Sequence, residues 1–366
     1  MRFTRIGRSP LPRRMARRAL YGYYLFQRLA LSDRVNRNVR KMARHRSDFY
    51  AQIWKEAAEA TESAIASAGN GFFRVTRGTR SIFVNSNQSL LDSHVAVSLA
   101  DDKATTYRLL AKAQIPVPEH VVISPEDFDA ALGFAKSLSC PVVVKPAFGT
   151  SGGTGVSTDV RTAPQLMHAI AWAAAFCSQV IVERQIEGET YRLLYLDGEL
   201  LDCVLRRSPR LVGDGAASVR DLVHSENSRR LSAGYQRSQA LLNIDQDMKT
   251  TLALQGLRLG AVPENRREFV VKRVVNENIA SENETVTGGL CSEIVEIGRR
   301  VAETLGLRLA GLDVITSDLR LPLHKVGGAV VDVNAVPGFY YHYLKKDRFP
   351  VAYYILKWAL GHAASA

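Results

Sequence analysis

The stretch from Val142 to Val156, VVVKPAFGTSGGTGV, constrains the chain more than any other. Three consecutive valines read as a short buried strand, and Lys145 and Pro146 close it. Gly149, Gly152, Gly153 and Gly155 then fall within seven residues, interleaved with Thr150, Ser151 and Thr154. Without a Cβ, glycine lets backbone N–H groups converge on a ligand, and such a run makes a nest for anions. The stretch is either a bland surface turn or a lid over the phosphates of a nucleotide. It is not a Walker loop, since no Gly-Lys-Ser/Thr follows. Its spacing also departs from the dinucleotide fingerprint G-x-G-x-x-G.

Short strands and helices alternate around it. Helical patterns cover residues 48–68, 103–112, 124–137, 162–176, 219–231 and 289–305, with further helices near Thr251 and from Pro350 onward. Ser124 and Pro125 read as an N-cap followed by proline at the first helical position. Strand patterns cover residues 120–123, 180–183, 268–275, 309–315 and 329–333, and a hairpin at 72–84 turns around Gly78. Asp197-Gly198 separates two apolar runs and suits a type I′ hairpin turn. Strands, hairpins and helices in this mixture predict an α+β fold with mixed sheets, not a doubly wound parallel sheet.

The net charge of +12 is not spread evenly. Residues 1–50 hold 14 Lys/Arg against Asp33 and Asp48, and the remaining 34 bases balance 34 acids. The basic character therefore belongs to an arm, residues 1–47. Tyr21, Tyr23, Tyr24 and Phe26 stand among its arginines, and residues 17–31 could form a basic amphipathic helix. Such a helix is expected to be solvated, to pack on the body, or to meet an acidic or membrane surface. No recognised nucleic-acid module accompanies it, so no specific nucleic-acid partner is expected. Cys140, Cys177, Cys203 and Cys291 are scattered, with neither zinc nor disulfide spacing. No apolar run approaches the ~20 residues of a membrane span, and no secretory signal pattern is present. A cytoplasmic location, peripheral to the inner membrane surface if the arm binds there, is the expectation.

The last two buried strands carry acids at their ends. Asp313 follows Ala-Gly-Leu, and Asp332 and Asn334 stand two apart in Val-Val-Asp-Val-Asn. Residues two apart on a strand face one side. Asp332 and Asn334 thus present oxygen ligands to one point, and a carboxylate from the neighbouring strand would complete a site suited to Mg²⁺. The alternative is that they are turn or cap residues.

Taken together, several blocks make the chain resemble the ATP-grasp superfamily of carboxylate–amine ligases. These are Asp102-Lys103, Val-Val-Lys145-Pro with its glycine loop, Val-Glu183-Arg-Gln-Ile186-Glu-Gly-Glu189-Thr-Tyr-Arg192, Arg206-Arg207, Gly311-Leu-Asp313 and Asp332-Val-Asn334-Ala-Val-Pro-Gly338. Within the superfamily the chain is most similar to the ATP-grasp half of cyanophycin synthetase and the related part of bifunctional glutathione synthetases. The resemblance runs over residues 90–345. It implies an ATP-grasp fold in which two α/β subdomains, residues 101–185 and 186–366, sandwich ATP. A small α/β region at 48–100 and the basic helical arm would precede them.

The resemblance also implies roles. Lys103 and Lys145 would contact phosphates, with Lys145 also near the adenine. Glu183 and Ile186 would hold the adenine, and Glu189 the ribose. Residues 149–155 would close over the phosphates. Asp313, Asp332 and Asn334 would hold magnesium, or manganese in its place. Arg192, Arg206 and Arg207 would bind phosphate or a substrate carboxylate. Asn278 and His342 would fall at the substrate side. The family's paired glycines before the metal strand are missing here, and the Mur-ligase-like half of cyanophycin synthetase has no counterpart in these residues. The activity implied is ATP-dependent amide formation between a small-molecule or peptide carboxylate and an amine, compatible with a homo-oligomer. A small-molecule kinase and a non-catalytic nucleotide-binding scaffold remain as alternatives.

Overall fold

The structure is a computed structural model that describes residues 18–26, 36–150, 152–233 and 240–361. Helix α1 is residues 18–26. It packs on the body through Tyr24, whose ring sits 5.4 Å from Trp172 and whose hydroxyl lies 3.0 Å from His168 Nδ1. The rest of the arm before Arg18 and between Phe26 and Asn36 lies outside the described residues.

Helix α2 (Asn36–Ala60) leads into a four-stranded antiparallel sheet, β1 (Ala64–Gly69), β2 (Phe72–Arg77), β3 (Arg80–Asn85) and β4 (Gln88–Ser89). The helix expected over 48–68 therefore ends early. Thr61 Oγ1 turns back onto the Ala57 carbonyl at 2.8 Å and Glu62 takes a left-handed φ of 50°. Residues 64–69 then pair with β2 instead of continuing the helix.

Two short helices, α3 (His94–Asp101) and α4 (Lys103–Lys112), follow, and Asp102 caps α4 by accepting from Thr105 N. The next unit holds β5 (His120–Ile123), α5 (Phe128–Ser137), β6 (Val142–Pro146), β7 (Ser157–Val160), α6 (Ala163–Ala174) and β8 (Val180–Arg184). Its sheet runs β5-β8-β6-β7, all antiparallel, under α5 and α6. Helix α5 starts later than Ser124, because the Ser124 carbonyl accepts from Asp127 N and closes a turn first. Helix α6 begins with a full capping box between Thr162 and Gln165, worth about 1 kcal/mol.

The second large sheet begins with the hairpin β9 (Glu189–Leu196) and β10 (Glu199–Arg206), turned by Asp197 and Gly198 at positive φ. A separate small core follows, from β11 (Arg210–Val212), α7 (Val219–Ala233), α8 (Gln246–Leu254) and β12 (Glu268–Val270). Strand β12 is shorter than expected, since beyond it Val271 N turns to the Pro209 carbonyl. The chain continues with β13 (Asn283–Thr285), α9 (Ser292–Leu305), β14 (Leu309–Thr316), α10 (Leu323–Val326), β15 (Ala329–Asn334), α11 (Tyr340–Tyr343) and α12 (Val351–Gly361). The sheet order is β13-β10-β9-β14-β15, again antiparallel throughout. The α+β class is as expected, but the strand pairs among the described residues are all antiparallel, not mixed. Among the described residues no helix is long and apolar enough to cross a membrane.

Alternation along the strands divides this sheet's two faces. Leu193, Leu312 and Val314 pack against α9. On the other face, Leu194, Leu196 and Leu309 join α2, α12 and the N-terminal sheet. Trp54 of α2 is fully buried there, meets Phe339 edge-on at 5.9 Å, and donates from its indole N–H to the Ser86 carbonyl at 2.7 Å. Trp54→Ala is expected to cost about 3–5 kcal/mol in urea unfolding. A loss below about 1 kcal/mol would show that this layer does not fold cooperatively with the sheet.

Candidate active site

The two sheets enclose a cleft of about 940 Å³. Its floor is one rung of the larger sheet. Arg192 on β9 stands opposite Asp313 on β14, which stands opposite Asp332 on β15. Residues directly opposite on a sheet share a face and touch. Arg192 clamps Asp313 through Nε at 2.7 Å and Nη2 at 2.9 Å, and Arg206 reaches the same carboxylate at 3.4 Å. Burial alone would raise the Asp313 pKa, but the charges of Arg192 and Arg206 outweigh it and hold the pKa below its ordinary value. Gly311 makes room for this clamp: a Cβ there would lie 2.7 Å from Pro337 and 3.3 Å from Arg192 Nη1.

Asp332 takes a different partner. Lys103, the first residue of α4, donates to it at 2.6 Å. Burial would lower the Lys103 pKa, but Asp332 outweighs burial and raises it. Asn334 is beside Asp332, with Nδ2 3.3 Å from Oδ2. The three expected metal ligands thus lie on two adjacent strands, with Asp313 already held by guanidinium groups. No group of three or more His, Cys, Asp and Glu that could hold a metal occurs among the described residues. Two carboxylates and an amide oxygen fit magnesium, which fills its remaining positions with water and phosphate oxygens.

A register shift between Asp313 and Val314 marks a bulge in β15, and a bulge leaves one residue out of the ladder. Val331 is that residue. Its carbonyl accepts from Lys145 Nζ at 3.1 Å and lies 2.7 Å from the Tyr107 hydroxyl. Lys145 also pairs with Glu183 at 2.9 Å, and the Tyr107 hydroxyl sits 3.0 Å from the same carboxylate. Burial and the neighbouring Glu183 push the Tyr107 pKa well up, so the phenol keeps its proton. Lys103 and Lys145 come from different elements and converge on one strand.

The glycine loop forms the roof. Thr150, Gly152, Gly153 and Thr154 line the cleft; the expected Gly149 and Gly155 do not, Gly149 being exposed and Gly155 buried, and Ser151 lies outside the described residues. Gly153 has φ +76°, and a Cβ on it would meet Val274 Cγ1 at 2.3 Å and Asn276 at 3.3 Å. Only glycine can sit that close to the segment after β12. Ile186, Glu189 and Arg207 also line the cleft.

Two expected substrate residues do not reach it. Asn278 is buried, bonding the Arg207 carbonyl and Asn283. His342 is fully buried, with Nδ1 2.6 Å from Asp202, which also accepts from Lys345 at 2.6 Å and Thr287 at 2.8 Å. Its neighbour Tyr341 faces the site, with its ring 4.0 Å below the Arg206 guanidinium. Successive helical residues point about 100° apart, so one position decides between cleft and core. Tyr107, Asn276 and Tyr341 are the contact residues that the sequence motifs missed. Only Tyr341, the residue before the expected His342, had a signal there.

Residues 102–191 match the family described as carbamoyl-phosphate synthase L chain, ATP binding domain. The chain has the ATP-grasp fold and is related to the ligases of that superfamily. Among its relatives, the cyanophycin synthetase of Nostoc sp. is 29% identical over 258 residues, 70% of this chain and 28% of that protein. The glutathione biosynthesis bifunctional protein of Listeria welshimeri is 26% identical over 297 residues, 79% of this chain and 38% of that one. The bifunctional glutathione synthetase of Pasteurella multocida superposes with a TM-score of 0.51 at 21% identity, over 82% of this chain and 41% of its own. The chain thus spans less than two-fifths of the curated relatives it matches.

On the same face as the rung and opposite Leu194, the Asp202 cluster makes stability pH-dependent. Burial would raise the Asp202 carboxyl, but hydrogen bonds from His342 and Lys345 outweigh it and lower its pKa to about 2. A depressed carboxyl contributes stability above its unfolded pKa of ~4, and loses it as pH falls through its folded value. The stability gap between wild type and Asp202→Asn is therefore expected to shrink by about 2 kcal/mol between pH 5 and pH 2 in urea titrations. A constant gap would show that the carboxylate charge is not what the cluster holds.

Proposed function

We propose that the chain is an ATP-dependent ligase that joins a carboxylate to an amine through an acyl phosphate. The observation that carries this is the single cleft with Lys103, Lys145 and the glycine loop on one side and the Arg192–Asp313–Asp332 rung on the other. A carboxylate is a poor electrophile. Its oxygen would attack the γ-phosphorus of ATP, ADP would leave, and the resulting acyl phosphate would accept the amine nitrogen with loss of a proton and expulsion of phosphate. Such a transfer needs positioning and positive charge around the moving group, which Lys103, Lys145 and Arg206 are placed to supply. No protein nucleophile is required.

On this reading residues 101–185 and the sheet of residues 186–366 are the lobes around ATP. Ile186 and Glu189 stand at the rim suited to the base and ribose. The Glu183 carboxylate points instead to Lys145 and Tyr107, so it acts by fixing Lys145. Asp332 and Asn334, with Asp313 beside them, would hold magnesium, which when bound screens phosphate charge. Manganese offers the same hard-oxygen preference. The loop would exclude water from the acyl phosphate.

The test is ADP release, followed with mass spectrometry of condensation products, across amino-acid and dipeptide pairs. Asp332→Ala is expected to lower turnover at least ~100-fold, since it removes a metal ligand at the transferring group. Turnover near wild type would remove Asp332 from the site. A phosphorylated product that persists without any amine would turn the assignment to a kinase.

The basic arm supports a second, peripheral role at an anionic membrane surface. Residues 1–50 carry 14 bases against two acids, and on α1 Tyr21, Tyr23 and Phe26 are exposed. Full-length protein is expected to co-sediment with phosphatidylserine vesicles at low salt and not with phosphatidylcholine vesicles. Equal recovery with both would overturn an electrostatic contact.

A further inference from the structure

Asp247, on the first turn of α8, is a buried acid that the ligase chemistry does not use. It is 1% exposed. Its Oδ1 accepts from the Thr158 hydroxyl at 2.7 Å, and its Oδ2 accepts from the backbone N–H groups of Arg273 at 3.0 Å and Val274 at 3.1 Å. Those three donors come from two places that share no covalent neighbourhood. Thr158 lies on β7, the edge strand of the smaller sheet, which begins two residues after Gly155. Arg273 and Val274 begin the segment on which Gly153 rests. Three residues past Arg273, Asn276 accepts from Arg206 Nη2 at 2.6 Å.

We propose that Asp247 is a positioning residue that latches the glycine loop onto its seat and, through the same segment, sets Arg206 over Asp313. The latch rests on the ligase reading for its consequence, but its geometry stands apart from it. One carboxylate fixes both the strand that leaves the loop and the backbone beneath the loop. Burial raises the Asp247 pKa, with Asp245 close by adding to the rise. Losing the Thr158 bond frees the loop's exit strand. Losing the Asp247 charge also frees the segment that carries Asn276, and with it the anchor of Arg206.

Thr158→Val removes only the hydroxyl, Thr158→Ser keeps it, and Asp247→Asn keeps the shape while giving up one acceptor. Hydrogen exchange of residues 149–156 and 273–277 is read in the full-length chain, and KM for ATP in the same preparations. In Thr158→Val, exchange of residues 149–156 is expected to rise about tenfold, the worth of one charge-assisted bond, with Thr158→Ser near wild type. KM for ATP rises about five- to tenfold in Thr158→Val while kcat moves less than about twofold. Asp247→Asn adds faster exchange of residues 273–277 and a fall in kcat, from the loosened Arg206. Unchanged exchange in Thr158→Val overturns the latch, as does faster exchange with no change in KM. If wild-type protein turns over no ATP, the ligase reading fails and the exchange measurements alone decide the latch.

Discussion

The Arg192–Asp313 pair is the interaction on which the cleft depends. A lone carboxylate at that depth would cost several kcal/mol, and a bidentate guanidinium offsets the cost only when its geometry is close to ideal. Cross-strand register supplies that geometry: the two residues face each other on neighbouring strands, and Gly311 removes the one side chain that would stand in the way. The charge is also confined. Two residues along the same strands and on the same face, Leu194 and then Leu196 carry the apolar contact with the N-terminal layer. The opposite face packs on α9 and carries no part of the rung. One sheet therefore carries the rung at one end and this core at the other, with the buried Asp202–His342–Lys345 cluster opposite Leu194 between them.

Between the two sheets, polar contacts replace an apolar seam. Lys145 and Tyr107 reach the free carbonyl of the β15 bulge, and Lys103 reaches Asp332. Each sheet keeps its own apolar cluster. Surfaces joined by a few hydrogen bonds can separate without exposing a core, which suits a cleft that must admit and release ligands. Strand β15 is the edge of its sheet, and its bulge leaves Val331 out of the ladder with its carbonyl turned to Lys145 and Tyr107.

Local signals carried most of what the sequence disclosed. The Asp-Gly turn, the valine strand, the helical pattern from Lys103 and the isolated acids within β14 and β15 each depend on residues close in the chain. What stayed hidden depends on distant contacts. Nothing near Tyr107 announces Glu183 or Val331, and nothing near Asn276 announces Arg206. The boundary between α2 and β1 was hidden for a related reason: alanine-rich residues 64–69 suit a helix, and only pairing with β2 makes them a strand. His342 and Tyr341 show the limit most plainly. The motif brought the right turn to the site, but the phase of one short helix sent histidine to Asp202 and tyrosine to Arg206.

The ion pairs of the cleft are not equally committed. Arg192–Asp313 and Lys145–Glu183 are nearly sealed, with side-chain exposures of 5%/11% and 7%/5%, whereas Lys103–Asp332 stands at 16%/26%. Solvent screens the last pair most, so separating it costs least. Asp332 can therefore change partners while Asp313 and Glu183 hold the arginine and lysine around it in place. A phosphate arriving at Lys103 and a cation arriving at Asp332 would each replace a partner of the same charge sign. The exchange leaves no buried charge unpaired, and the sealed pairs fix the geometry in which it happens.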